Sequence, residues 1–123
     1  MRILIVKPNP LEEAELIEYF IAQSFLVEIV YNRLELSRIL DKSGIDLVLY
    51  NADGMDDFAQ ISYINHYWPQ IKVIVSMENS LCSAIEKIRS GDFQTLRRPF
   101  SLTDLRLCCN FKSSGEALND RAK

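Results

Sequence analysis

The sequence predicts a three-layer α/β sandwich, a (βα)5 arrangement around a five-stranded parallel sheet. Short β-rich runs alternate with helical patterns along nearly the whole chain, which is the order of a βαβ fold. The strand-like runs are also almost continuously apolar, as strands buried on both faces must be, instead of switching every second residue. Strand and helix alternate five times, so right-handed crossovers between parallel strands are expected.

The elements follow in order. Ile3–Val6 reads as the first strand. Asn9 is expected to cap the helix after it, with Pro10 at the first helical position and Glu12 closing a capping box. Val27–Tyr31 and Leu47–Tyr50 are the second and third strands, and Phe58, Ile61, Asn65 and Trp68 mark the apolar stripe of the third helix. Val73–Val75 is the fourth strand. Ser80 opens a helix whose stripe is Leu81, Ala84, Ile85 and Ile88, ending near Gly91. Phe93–Leu96 is the fifth strand. Ser101 and Asp104 begin the last helix, with Leu102, Leu105, Cys108 and Cys109 turned inward. Residues 1–112 are read as one domain, and the pattern fades over 113–123, a tail or the start of a linker.

Bulk properties exclude several classes. The chain has 123 residues, 48% of them hydrophobic and 25% charged, enough for one core and against disorder. A net charge of −3 and the thin basic run Arg97-Arg98 with Lys112 argue against direct nucleic-acid binding. The apolar runs are strand length, so no membrane span is expected, and the N-terminus lacks a signal-peptide pattern. Cys82, Cys108 and Cys109 make neither a disulfide framework nor a CxxC metal site, which points to a reducing, cytoplasmic setting. Packing is the expected role of the vicinal cysteines, and His66 is expected at the surface. No nucleophile–base pair and no glycine-rich phosphate loop is visible, so an enzyme is not expected.

In such a sheet, ligands gather at the carboxyl ends of the strands beside the topological switch. Those ends carry Lys7 and Pro8, Asn51 and Asp53, Ser76 and Met77, and Arg97 and Arg98. Four local signatures fall on these elements: the opening Arg2-Ile3-Leu4-Ile5-Val6, Asp46-Leu47-Val48-Leu49 ahead of Asn51, Trp68-Pro69 ahead of the fourth strand, and Arg97-Arg98-Pro99-Phe100 after the fifth. Together, over residues 1–112, they resemble the receiver domains of two-component response regulators, the CheY-like branch of the flavodoxin-like fold. The resemblance implies roles by position. Asn51 stands in the phosphoacceptor slot, and Lys7 and Pro8 stand where the family has its metal-binding acid pair. Ser76, Thr95 and Arg98 take the switch and phosphate-contact positions.

Phosphorylation of a receiver needs a carboxylate nucleophile and a divalent cation held by carboxylate oxygens. Asn51, Lys7 and Pro8 supply neither, so the resemblance is to a degenerate pseudo-receiver, with no cofactor and no Mg²⁺ expected. The expected function is phosphorelay signalling by protein–protein interaction without aspartate phosphorylation. Partner binding or self-association is expected on the surface of the fourth helix, fifth strand and fifth helix, where Leu107 and Phe111 are candidate contacts. One alternative is a sensor that binds a small anion among Lys7, Asn51, Ser76 and Arg98. Another is a receiver phosphorylated at a shifted acceptor, Asp53. Lys7 is expected to act as a structural plug among Asn51, Asp53 and backbone carbonyls, with Asp53 and Asp56 the only acids nearby. An Asn51→Asp change is expected to set a carboxylate beside Lys7 and Arg98.

Overall fold

Alternating side chains on each strand feed two separate cores, one on either face of the sheet. The computed structural model describes residues 1–42, 44–78, 93–98 and 100–108. Its strands are β1 (Arg2–Val6), β2 (Leu26–Val30), β3 (Leu47–Asn51), β4 (Lys72–Glu78) and β5 (Gln94–Arg98). They pair in parallel in the order β2-β1-β3-β4-β5. The chain turns from β1 to β2 on one side and crosses to β3 on the other, so the switch lies between β1 and β3.

The helices are α1 (Glu13–Ala22), α2 (Leu36–Lys42, preceded by the 3-10 turn Arg33–Glu35) and α3 (Asp56–Tyr67). A terminal helix covers residues 102–108. Ile3, Ile5, Leu47, Leu49, Ile74 and Leu96 point to one face and pack with Leu16 and Phe20 of α1 and with Leu105. Leu4, Val6, Val48, Tyr50, Val73 and Val75 point to the other, against Leu36 and Leu40 of α2 and Phe58, Ile61 and Ile64 of α3. This is the CheY-like α/β fold.

Four expectations need correction. Asn9 does not cap α1: its Oδ1 accepts from the Leu11 amide at 2.9 Å and closes an Asx turn, and Glu12 itself is the residue before the helix, without a side-chain cap. Two turn residues therefore separate Pro10 from the helix, and the capping box does not form. The buried phase of α3 runs through Asp57, Phe58, Ile61 and Ile64, with Asn65 at its edge. Leu102 is not core, being 36% exposed. Among strand bounds, β4 is longer than Val73–Val75, and β5 begins one residue later than Phe93, which is buried just outside it.

The start of the terminal helix behaves as expected. The Asp104 amide donates to Ser101 Oγ and the Ser101 amide to Asp104 Oδ2, both at 3.1 Å, a reciprocal capping box. His66 is exposed, its ring edge-on to Tyr67. The helix expected from Ser80 to Gly91, together with Cys82, Pro99, Cys109, Phe111 and the segment 113–123, lies outside the described residues. No helix among the described residues is long and apolar enough to cross a membrane.

Leu105 is fully buried while Leu107 is 61% exposed, so truncating them separates the two sides of the terminal helix. Leu105→Ala is expected to lower unfolding free energy by about 2–5 kcal/mol. Leu107→Ala is expected to change it by about 0.5 kcal/mol or less. Urea unfolding of both variants checks this, and equal losses would mean that the helix is rotated from the phase given.

Candidate functional site

The carboxyl ends of β1, β3, β4 and β5 converge on one polar cluster. Parallel register sets Asn51, the last residue of β3, beside Ser76 of β4, and ends β5 with Arg98 opposite Glu78. Lys7 follows β1 directly in the left-handed region, φ 54°, which is uncommon for a residue with a side chain. Its amide donates to the Val30 carbonyl at 2.8 Å, continuing the β1–β2 ladder by one step. Its carbonyl turns toward β3 and accepts from Asn51 Nδ2 at 2.9 Å.

Asn51 is used at both ends. While Nδ2 donates to Lys7, Oδ1 accepts from Arg98 Nη1 at 2.6 Å and from Ser76 Oγ at 3.3 Å. Arg98 Nη2 also donates to the Ala52 carbonyl at 3.1 Å and lies 3.8 Å from Asp53 Oδ1. An amide offers a donor to the backbone carbonyl and an acceptor to the guanidinium from one planar group, which an ionised carboxylate cannot. A carboxylate in this place would turn an oxygen on the Lys7 carbonyl. The expectation that Asn51→Asp sets a carboxylate beside both cations is thus half corrected: it would meet Arg98, but on its other side the Lys7 carbonyl and not the ammonium.

The Lys7 ammonium goes elsewhere. Nζ donates to Asp57 Oδ1 at 2.9 Å and Oδ2 at 3.1 Å, with Asp53 Oδ2 further off at 3.7 Å. Asp57 is 4% exposed and takes two more donors, the Tyr50 hydroxyl at 3.2 Å on Oδ1 and the Asp53 amide at 2.8 Å on Oδ2. Burial pushes the Asp57 carboxyl up. The Asp53 amide, the Lys7 ammonium and the Tyr50 hydroxyl together outweigh burial and hold it below the usual aspartate range.

Lys7 therefore pairs with Asp53 as expected, but its nearer partner is Asp57, because Asp53 and Asp56 are not the only acids nearby. Asp56 and Asp53 are exposed, and Asp57 is the acid turned inward. Sequence reading passed over Asp57 and Tyr50. The signal for Asp57 is its phase: with Ile61, Ile64 and Trp68 it repeats at four, three and four residues, so a charge stands on the stripe that must be buried. Thr95, half-buried in β5 and paired in register with Val75, makes no contact with this cluster that can be described. Pro8 lines a small recess with Asn51 and Ser76 and adds no polar side-chain group.

No protein-family model matches the chain, and no curated protein matches it in sequence. Solved structures do. A response regulator receiver domain protein from Clostridium thermocellum superposes with a TM-score of 0.76 at 20% identity, over 95% of this chain and 97% of that one. A response regulator from Thermotoga maritima gives 0.72 at 22% identity, over 91% and 94%. An atypical orphan response regulator, described as revealing a phosphorylation-independent regulatory mechanism, gives 0.70 at 18% identity, over 92% and 93%. The chain has the fold of response regulator receiver domains over nearly its full length.

The ion pair sets two expectations. Lys7→Met leaves the buried Asp57 carboxylate without its countercharge and is expected to cost about 3 kcal/mol, the low end for a broken buried pair because the Lys7 side chain is 25% exposed. Since the folded carboxyl titrates below its unfolded value of about 3.9, its contribution is present above that pH and is lost as pH falls through the folded value. Asp57→Asn is expected to flatten this acid limb in urea unfolding measured between neutral and strongly acidic pH. An unchanged acid limb would place the depressed carboxylate elsewhere.

Proposed function

We propose that this chain is a receiver-type signalling module that works through protein contacts and takes no phosphoryl group. The observation that carries the reading is the closed polar cluster at the sheet's carboxyl edge. Asn51 stands at the end of β3 with both amide ends engaged, and Lys7 follows β1 with its ammonium on the buried Asp57. By position these are the slots where the resembling family keeps a nucleophilic carboxylate and metal-binding acids. An amide nitrogen is a poor nucleophile, and an ammonium among the remaining acids repels a divalent cation. The orphan response regulator of similar fold is described as phosphorylation-independent, which agrees with this reading. A signalling role without catalysis, soluble and without a metal or cofactor, goes with it.

Two other readings have less support. A small-anion sensor needs free positive charge, yet Lys7 and Arg98 already face Asp57, Asp53 and Asn51. The recess beside Asn51 and Ser76 is about 10 Å³ and has Glu12 in its lining, room for about one water and not for a phosphate. Asp53 as a shifted acceptor lies between Lys7 and Arg98, and its amide is committed to Asp57. For the contact surface, the exposed Leu107 opposite the buried Leu105 supports the terminal helix, with Phe111 proposed beside it.

Incubation with acetyl phosphate and Mg²⁺, followed by intact mass, is expected to show no adduct. Asn51→Asp alone is expected to remain unmodified, since it restores a nucleophile without a metal site. A stoichiometric adduct on the natural chain, at Asp53 or elsewhere, would overturn the reading. The Leu107→Glu, Phe111→Glu variant is expected to stay folded by circular dichroism and to lose any self-association seen by sedimentation.

A further inference from the structure

We propose that the aromatic ridge at the carboxyl end of α3 docks a proline-rich segment of a partner protein in the polyproline II conformation. Residues 58–71 carry no Asp, Glu, Lys or Arg, although 25% of the whole chain is charged. Within this stretch Tyr63 and Tyr67 stand one helical turn apart and are 42% and 59% exposed. Their ring centroids lie 4.6 Å apart. Trp68 stands edge-on to both, at 5.8 Å from Tyr63 and 6.2 Å from Tyr67, so the ridge presents rings in two orientations. The indole is half-buried and packs against the core that α2 and α3 share, which anchors the ridge.

The polar tips of these rings decide the occupant. Neither tyrosine hydroxyl nor the indole N–H has a hydrogen-bond partner among the described residues. The ridge thus combines apolar ring faces with hydrogen-bond donors and no charge. A polyproline II segment is the complement: it has no internal hydrogen bonds, so its carbonyls are free to accept, and its proline rings lie against aromatic faces. Proline also lacks an N–H and asks the ridge for no acceptor. Other classes fit less well. Nucleic acid and anionic lipid need the Lys or Arg that residues 58–71 lack, and a cationic helix needs their missing carboxylates. A neutral lipid interface also takes Tyr and Trp, but it calls for an aliphatic body, and the exposed neighbours here are Ala59, Ser62 and His66. Asp57 and Tyr67 stand at opposite ends of α3, so docking here is independent of the polar cluster and of phosphoryl transfer.

The test titrates the full chain with decaproline and follows the fluorescence of Trp68, the one tryptophan of the sequence. A saturable change is expected, with none from a glycine–serine peptide of equal length, which behaves as a flexible coil. Tyr63→Ala with Tyr67→Ala is expected to weaken binding about tenfold or more. Tyr63→Phe with Tyr67→Phe keeps the rings, removes only the hydroxyls, and is expected to weaken it about threefold or more. Leu34→Ala alters an apolar side chain, 94% exposed, in the turn before α2 and is expected to leave binding within about twofold. Circular dichroism confirms that every variant is folded. Absence of a saturable response to decaproline, or binding unchanged in the phenylalanine variant, would overturn the proposal. So would a response to phosphatidylcholine vesicles and not to decaproline, which would assign the ridge to a lipid surface.

Discussion

The buried carboxylate of Asp57 governs how the upper edge of this sheet is built. A carboxylate that is 4% exposed must be compensated, because an isolated buried charge is far more costly than one in water. Here three different segments compensate it: the Lys7 ammonium after β1, the Tyr50 hydroxyl within β3, and the Asp53 amide in the loop leading to α3. Of these donors only Tyr50 stands within the sheet register, while Lys7 and Asp53 lie just beyond the ends of β1 and β3. The pair therefore ties the first turn of α3 to β1 and folds the 52–55 loop over the strand ends. The left-handed backbone at Lys7 belongs to the same arrangement, since it aims the carbonyl at Asn51 while the side chain reaches Asp57.

Charge is closed within the cluster. Lys7 and Arg98 are the cations, and Asp57 and Asp53 the anions, with Asn51 a neutral bridge between the two halves. In the receiver domains that this fold resembles, the resemblance places acidic groups that need an external cation at the corresponding strand ends. This chain carries a cation of its own there, the side-chain ammonium of Lys7. The four charges balance, so the cluster has little to gain from a metal, although Arg98 Nε is buried in it without a hydrogen-bond partner among the described residues.

Much of the fold was legible because it rests on composition. Continuous runs such as Leu47–Tyr50 can only be strands buried on both sides, and Ser101 with Asp104 forms the cap that its spacing implies. Asn9 misled because an Asx turn and a helix cap share one signal, an Asn before Pro, and only backbone angles separate them. That Lys7, Asn51, Ser76 and Arg98 meet at the strand ends was readable from motifs, but their wiring was not. Lys7 was expected to pair within the strand ends, yet its nearest partner lies fifty residues away and looks from the sequence like an ordinary acid in the first turn of a helix. Leu102 failed for a similar reason: helical spacing gives the phase of a stripe but not how far the neighbouring α1 covers its first turn.

The most direct test of an internally closed cluster is a Mg²⁺ titration followed by nitrogen–proton correlation spectra of the backbone and the Asn51 side-chain amide. The account predicts that the Asn51, Ala52, Asp53 and Asp57 signals stay in place at millimolar Mg²⁺, because Lys7 holds the position from which a cation would act. Progressive, saturable shifts of these signals would contradict it, showing that the acids at the sheet edge bind metal despite the ammonium between them.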